Sequence, residues 1–225
     1  MRRIQMGAVT VVVLVLAGHA SAATFYSEVF YSGDSRGYTS DGNWGTSEYK
    51  GECNSGDPVS GVSSLDSNTG SSLLPHALLC NHGTYSVGYG TIGALGTEKV
   101  HSLMGGGDDR GDTGTGDWDS GFWKAECNFD EVVIGVAEKN DGSHKISKIL
   151  CAWISSELDA NESNCHKLSF SLTSDNRRST SGGDWDSDHS KNQCGDSEVL
   201  KGISTNQSTG EIHAILCCAN QPYPH

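Results

Sequence analysis

Short runs in which apolar and polar residues alternate recur along this chain, and clusters of glycine, serine, threonine, asparagine and aspartate separate them. Such alternation is typical of half-buried β-strands. No stretch keeps apolar residues at spacings of three and four, so the pattern predicts no long helix. The strands predicted in this way cover residues 24–30, 99–104, 132–136, 146–150 and 167–172. We therefore expect an all-β protein.

Three copies of one sequence frame organise the chain. Each copy runs from an Asp-x-Arg pair through Trp, Lys and Cys to a Gly-aliphatic step, and it closes on an apolar triplet that ends in a second cysteine. Every interval from Asp to Gly is identical in all three copies, which marks an internal repeat. The frame residues are Asp34, Arg36, Trp44, Lys50, Cys53, Gly61 and Cys80 in the first copy, Asp108, Arg110, Trp118, Lys124, Cys127, Gly135 and Cys151 in the second, and Asp175, Arg177, Trp185, Lys191, Cys194, Gly202 and Cys217 in the third.

Residues 1–22 have the features of a secretory signal peptide. Arg2 and Arg3 precede an apolar run, and small residues follow it at the expected cleavage site. The run is shorter than the roughly 20 residues that span a bilayer. We expect a secreted, extracellular or periplasmic protein without membrane insertion, in which residues 23–225 form one domain. Its repeats cover approximately residues 24–97, 98–164 and 165–220, each a unit of about four strands, and the three close on a shared core with approximate three-fold symmetry.

The eight cysteines of an exported chain are expected to form disulfides. Each copy contains one cysteine after its Lys and one at its end, and no Cys-x-x-Cys pair indicates a metal site. The repeat predicts the pairs Cys53–Cys80, Cys127–Cys151 and Cys194–Cys217, which leaves Cys165 to pair with Cys218.

The charge of the chain excludes some classes of partner. The leader contains two of the fifteen basic residues and no acidic one, so thirteen basic residues remain against twenty-eight acidic ones. Such a chain repels phosphate backbones and anionic lipid, which argues against nucleic-acid and membrane partners. Alternating aspartates in the loops could instead surround Ca²⁺, a cation that takes six to eight oxygen ligands, although solvated acidic loops are the simpler interpretation. The candidate calcium ligands are Asp117, Asp119, Asp184, Asp186 and Asp188.

The repeat resembles the vitelline membrane outer layer protein I family. The matching stretches run from Trp44 to Cys53, from Trp118 to Cys127 and from Trp185 to Cys194, together with the adjacent cysteines at 217 and 218. The acidic stretch that precedes the closing cysteine in that family is absent here. The resemblance implies a β-prism, with a β-trefoil as the other three-fold option, and a carbohydrate-associated extracellular role. It implies no catalytic residues.

Two interpretations are open for the repeated polar and aromatic residues. The tryptophans are either core residues beside the disulfides, which large aromatics usually are, or stacking platforms for sugar rings. Each Asp-x-Arg pair is either a repeated salt bridge or turn, or part of a ligand pocket used three times. The candidate ligand-binding residues are Trp44, Trp118, Trp185, Asp34, Arg36, Asp108, Arg110, Asp175 and Arg177.

An enzyme is the rival class. His76 and His213 both lie four residues before a closing cysteine, and the carboxylates near Asp117 and Asp119 could serve a glycan-active hydrolase. No nucleophile-plus-base motif is present, however. Repeated weak sites favour polyvalent ligands such as polysaccharides or glycoconjugates. We therefore predict a non-enzymatic, lectin-like protein that binds glycans, with a structural coat or matrix protein as the alternative.

Overall fold

The computed structural model of the protein describes residues 24–37, 43–54, 57–70, 72–82, 99–103, 107–111, 115–153 and 160–220. The predicted leader at residues 1–22 lies outside these ranges. Within them all regular elements are strands, so the all-β prediction is confirmed. The strands are β1 (Thr24–Val29), β2 (Ser35–Arg36), β3 (Glu48–Glu52), β4 (Val59–Ser64), β5 (Pro75–His82), β6 (Lys99–Ser102), β7 (Asp109–Arg110), β8 (Trp123–Glu126), β9 (Glu131–Lys139), β10 (Ile146–Trp153), β11 (Ala160–Ser169), β12 (Asn176–Arg177), β13 (Ser190–Gln193), β14 (Glu198–Thr205) and β15 (Ile212–Asn220).

Across these described ranges, we find no helix with the length and apolar character needed to cross a membrane.

The strands form three five-stranded sheets that are built alike. The first sheet has the order β1-β5-β4-β13-β12, the second β6-β10-β9-β3-β2 and the third β11-β15-β14-β8-β7. In each sheet a long hairpin occupies the centre, and the short last strand pairs parallel with its neighbour. The remaining neighbours pair antiparallel, with β-bulges in each central hairpin.

Each sheet takes three strands from one copy of the repeat and two from another copy. Strand β3 of the first copy pairs with β9 of the second, β8 of the second with β14 of the third, and β13 of the third with β4 of the first. The expectation of one four-stranded unit per copy is therefore wrong, because every copy contributes five strands to two sheets. The expected boundary between residues 164 and 165 also falls inside β11.

The largest buried cluster draws its residues from all three sheets. It includes the fully buried Phe30, Leu78, Ile149, Ile203 and Ile215. Alternation within the strands directs these side chains to one face. Because this cluster combines residues from all three copies, the copies bury that apolar surface together.

Four disulfides join the strands, and they are the pairs that the repeat predicts. Three connect the cysteine after the Lys of each frame to the closing cysteine of the same frame. The fourth lies between residues directly opposite each other on β11 and β15. The pairs are Cys53–Cys80, Cys127–Cys151, Cys194–Cys217 and Cys165–Cys218.

Candidate functional site

The Asp and Lys that recur in each copy support a turn. In the second copy a carboxylate oxygen of Asp108 accepts the backbone N–H of Lys124 at 3.0 Å. The buried ammonium of Lys124 donates to the carbonyl oxygens of Asp119 and Phe122, at 3.2 and 2.7 Å. The first and third copies make the same bonds through Asp34 with Lys50 and Asp175 with Lys191. These contacts give both residues a structural role in all three copies.

The conserved Arg and Trp meet at one buried side chain. In the first copy Arg36 Nε lies 3.0 Å from the carboxylate of Glu52, which also accepts the indole N–H of Trp44 at 3.3 Å. Glu52 is fully buried, and these two donors offset part of the cost of burying its carboxylate. Arg110, Trp118 and Glu126 repeat the arrangement.

The third copy departs from this arrangement because Gln193 replaces the glutamate. Trp185 still donates to the amide oxygen of Gln193, at 3.2 Å. Arg177, without a carboxylate at that position, instead lies 3.2 Å from Asp175.

Each half-buried tryptophan lies over the conserved glycine of another copy. A Cβ at Gly61 would be 3.3 Å from the Trp185 ring, and one at Gly202 would be 3.4 Å from the Trp118 ring. Gly135 faces Trp44 in the same way, at 3.2 Å. The tryptophans therefore contribute to the contact between copies.

One pair of the predicted ligand-binding residues, Asp34 and Arg36, lines an open cleft of about 590 Å³. We call it the first-copy cleft. Its further lining residues are Asn43, Ser47, Glu48, Tyr49, Lys50 and Asn140. The sequence frame did not single out Asn43, Tyr49 or Asn140, because none of them repeats at an equivalent position.

The five aspartates predicted to bind calcium are directed to different partners. Asp117 and Asp184 are exposed, and each lies 2.8 Å from a Lys of the frame. Asp119 and Asp186 are buried in two separate networks. Asp188 is exposed and has a left-handed backbone conformation. The described residues therefore do not gather these carboxylates in one place, and calcium binding stays a prediction.

The two buried aspartates organise equivalent hydrogen-bond networks. Asp119 accepts hydrogen bonds from Ser204 and from Lys167 at 2.9 Å, and lies 2.7 Å from His213 Nδ1. Burial alone would raise the pKa of Asp119, but these bonds outweigh it and the pKa is lowered. The ring of His213 stacks on Phe122, with centroids 3.4 Å apart.

Asp186 lies beside two histidines, of which His189 donates its Nδ1–H to the carbonyl oxygen of Ser187 at 2.9 Å. His76 Nδ1 lies 2.8 Å from one carboxylate oxygen and His189 Nδ1 lies 3.3 Å from the other. Ser63 donates to the same carboxylate. The two imidazole rings stack almost in parallel, with centroids 3.7 Å apart and planes at 8°.

His76, Asp186 and His189 have the spacing of a metal-ligand group, since their ligand atoms lie within 4.8 Å of one another. The lone pair of an imidazole nitrogen lies in the ring plane, so a metal bound by both histidines must lie in both planes. Two nearly parallel stacked rings share no such point. The observed arrangement is thus a hydrogen-bonded stack, and metal binding would require one ring to turn. The two further groups with this spacing among the described residues each include a disulfide-bonded cysteine.

The histidine stack begins a row of rings that crosses from the first sheet to the second. The successive centroid distances are 3.7 Å from His189 to His76, 6.0 Å from His76 to Tyr31, 4.4 Å from Tyr31 to His144 and 6.4 Å from His144 to Tyr49. We call these five residues the aromatic row. It ends at Tyr49, in the first-copy cleft.

A buried carboxyl group supports the middle of the aromatic row. Glu138 is fully buried and accepts the backbone N–H of Ser32 at 2.8 Å, while His144 Nδ1 lies 3.0 Å from the same oxygen. Burial raises the pKa of Glu138 in spite of these contacts. Ser32 and His144 both have left-handed backbone conformations, with φ of 59° and 50°. Strained backbone held by a buried group is typical of sites with a fixed geometry.

A scan against protein-family models, a search of curated proteins and a search of solved structures each found no match to this chain.

Proposed function

We propose that this chain is an exported, non-enzymatic glycan-binding protein whose main contact surface is the first-copy cleft. The observation that carries the proposal is the meeting of the aromatic row with this polar cleft at Tyr49. Ligand sites commonly combine an aromatic surface with a few convergent polar groups. Here Asn43 and Asn140 supply amides and Arg36 a guanidinium, which suit the hydroxyl groups of a sugar.

The overall arrangement supports the same proposal. Three sheets with one strand order and a common core support a β-prism with approximate three-fold symmetry. The basic and apolar character of residues 1–22 and the four disulfides support export. The resemblance of the repeat to the vitelline membrane outer layer protein I family also implies an association with carbohydrate.

The charge states of the acidic groups favour binding over glycan hydrolysis. Glycoside hydrolysis uses one carboxyl group with a raised pKa as the proton donor. A hydrogen bond with Lys124 lowers the pKa of Asp117, and the pKa of Asp119 is lowered as well. Among the carboxyl groups of the described residues whose pKa is shifted, Glu138 is the one with a raised pKa, and its side chain is fully buried and cannot reach a ligand.

A glycan panel with two readouts tests the proposal. The oxidised mature protein is incubated with the panel, and both retention of glycans and newly released reducing ends are measured. We expect retention without cleavage, and we expect the variant with Asn43→Ala and Asn140→Ala to lose it, since both side chains are exposed at the cleft. Phe129→Ala, which removes an exposed ring elsewhere, is the matched control.

Each alternative has its own outcome in this experiment. New reducing ends that disappear with Asp117→Asn or Asp119→Asn would identify a hydrolase. Absence of both signals would contradict the proposal and favour a structural coat or matrix protein.

A further inference from the structure

A second, smaller pocket lies where the second and third sheets meet. Its volume is about 140 Å³, and Leu103 and Ile146, both buried, form its apolar part. We call it the lysine pocket, after two of its other lining residues. Those residues include Trp123, Lys139, Lys145, Thr205, Gln207 and Ser208.

The two lysines are a departure from the repeat. Lys139 N–H donates to the carbonyl oxygen of Lys145 at 2.9 Å. The same hydrogen bond joins Leu65 to Leu74 in the first sheet and Asn206 to Glu211 in the third. These equivalent backbone positions therefore have two apolar residues in the first sheet, two cations in the second, and an amide and a carboxylate in the third. A pair of cations at this place is a feature of the second sheet.

These cations are available to a ligand. Among the described residues, neither ammonium has a carboxylate within the 4.0 Å of a salt bridge, and the charge of Lys139 helps to lower the pKa of Asp141. By contrast, Lys148 and Lys167 each lie within 3 Å of a carboxylate. The strong overall negative charge acts weakly here, because salt screens exposed charges beyond about 8 Å.

The neighbours of the lysines define the rest of the ligand. Trp123 is half-buried against the core, and it lies opposite the uncharged Thr205 in the strand register. Its equivalent in the second sheet, Tyr49, lies opposite Glu138 instead. Gln207 and Ser208 add an amide and a hydroxyl group. A closed cavity of roughly 150 Å³ takes up one benzene molecule, so this pocket, at about 140 Å³, has room for one sugar ring whose substituents extend towards its rim and solvent.

We propose that the lysine pocket binds one carboxylated sugar ring, a uronic acid. The ring lies against the Trp123 indole, the carboxylate is bound by Lys139 and Lys145, and hydroxyl groups meet Gln207 and Ser208. This inference rests on the proposed function, and it adds an acidic sugar class to a protein whose first-copy cleft suits neutral, hydroxyl-rich ligands.

The test compares glucuronic acid with glucose as probes of the oxidised mature protein. Binding is followed by NMR through the indole N–H resonance of Trp123. We expect glucuronic acid, and not glucose, to shift this resonance. Lys139→Gln and Lys145→Gln should each weaken glucuronic acid binding by about tenfold, the effect of losing one hydrogen bond to a charged group.

Lys99→Gln is the matched control, because it removes one exposed positive charge outside the pocket. Thermal unfolding of every variant checks that the fold is intact. Equal shifts with glucose and glucuronic acid, or unchanged affinity in folded lysine variants, would overturn the inference. If neutral glycans bind at the first-copy cleft but the lysine pocket does not prefer glucuronic acid over glucose, the inference fails while the proposed function stands. If no sugar of either kind binds, both fail.

Discussion

Gly202→Ala is expected to destabilise the protein at a contact between two copies of the repeat. The new Cβ would lie 2.8 Å from the carbonyl oxygen of Ala125 and 3.4 Å from the Trp118 ring. The first distance is closer than real Cβ contacts come, and the oxygen belongs to the backbone of the paired strand β8. The strand must shift, because no side-chain rotation can relieve the contact.

The expected cost follows from this overpacking. Forcing an extra methyl group into a packed site typically costs 1–3 kcal/mol, so we expect a loss of about 2 kcal/mol in the free energy of unfolding. For a domain of this size that corresponds to a decrease in Tm of about 4–8 °C. Gly61→Ala should cost a similar amount, since its Cβ would lie 2.8 Å from the Asn192 carbonyl oxygen. Gly135→Ala should cost less, because its nearest backbone oxygen is 3.0 Å away.

Urea and thermal unfolding with the disulfides intact, followed by far-UV circular dichroism, measure this series. Gly33→Ala is the control, since a Cβ there meets no atom within 4 Å and the backbone is not left-handed. We expect Gly33→Ala to match the parent protein. Equal midpoints for Gly202→Ala and Gly33→Ala would refute the close approach of Gly202 to the Ala125 carbonyl oxygen, and with it the pairing of β14 with β8 of another copy.

Three further predictions concern a turn, a buried network and a disulfide. Gly121→Ala places a side chain on a backbone with φ of 85°, so it should lower the free energy of unfolding by about 1 kcal/mol. Gly107→Ala, at a position without a left-handed backbone, should leave it unchanged, and urea unfolding midpoints measure both variants. Asp119→Asn should lower stability at pH 7 by roughly 1–3 kcal/mol. Because the pKa of Asp119 is lower in the folded protein than in the unfolded chain, this stabilisation is present above the unfolded pKa and is lost as the pH falls through the folded pKa. The free energies of unfolding of the parent and the variant should therefore converge in acid. A constant difference between them from pH 7 to pH 2 would contradict the network. Replacing Cys127 and Cys151 together by alanine removes a disulfide between cysteines 24 residues apart in sequence. The free energy of unfolding measured in urea should fall by about 3 kcal/mol. An unchanged midpoint would show that the core is stable without this disulfide.

The repeat made much of the covalent and strand framework predictable. Intervals that recur three times identify equivalent residues, and equivalent cysteines then pair in equivalent ways. Alternation located β1, β6, β9 and β10 close to their observed positions. Periodicity states which residues share a face, but it does not state which copy supplies the neighbouring strand. The pairing of β3 with β9 was therefore beyond the sequence argument.

The candidate site was harder to predict for a related reason. The repeat draws attention to residues that are the same in each copy, and these make structural contacts, as Lys124 and Trp118 show. The first-copy cleft and the lysine pocket depend on residues that differ between copies, such as Tyr49 and Lys145. A signal did exist in His76 and His213, whose shared position before the closing cysteine marks two equivalent networks around buried aspartates.

Chemical-shift mapping with a glycan retained on the panel tests the central claim most directly. The account predicts that backbone amides of Asn43, Ser47 and Asn140 shift on titration with a neutral glycan, and that the indole N–H of Trp185 does not. These three residues line the first-copy cleft, whereas the Trp185 N–H is bonded to Gln193 within the fold. Shifts centred on the conserved tryptophans of all three copies, with the cleft amides unchanged, would contradict the account.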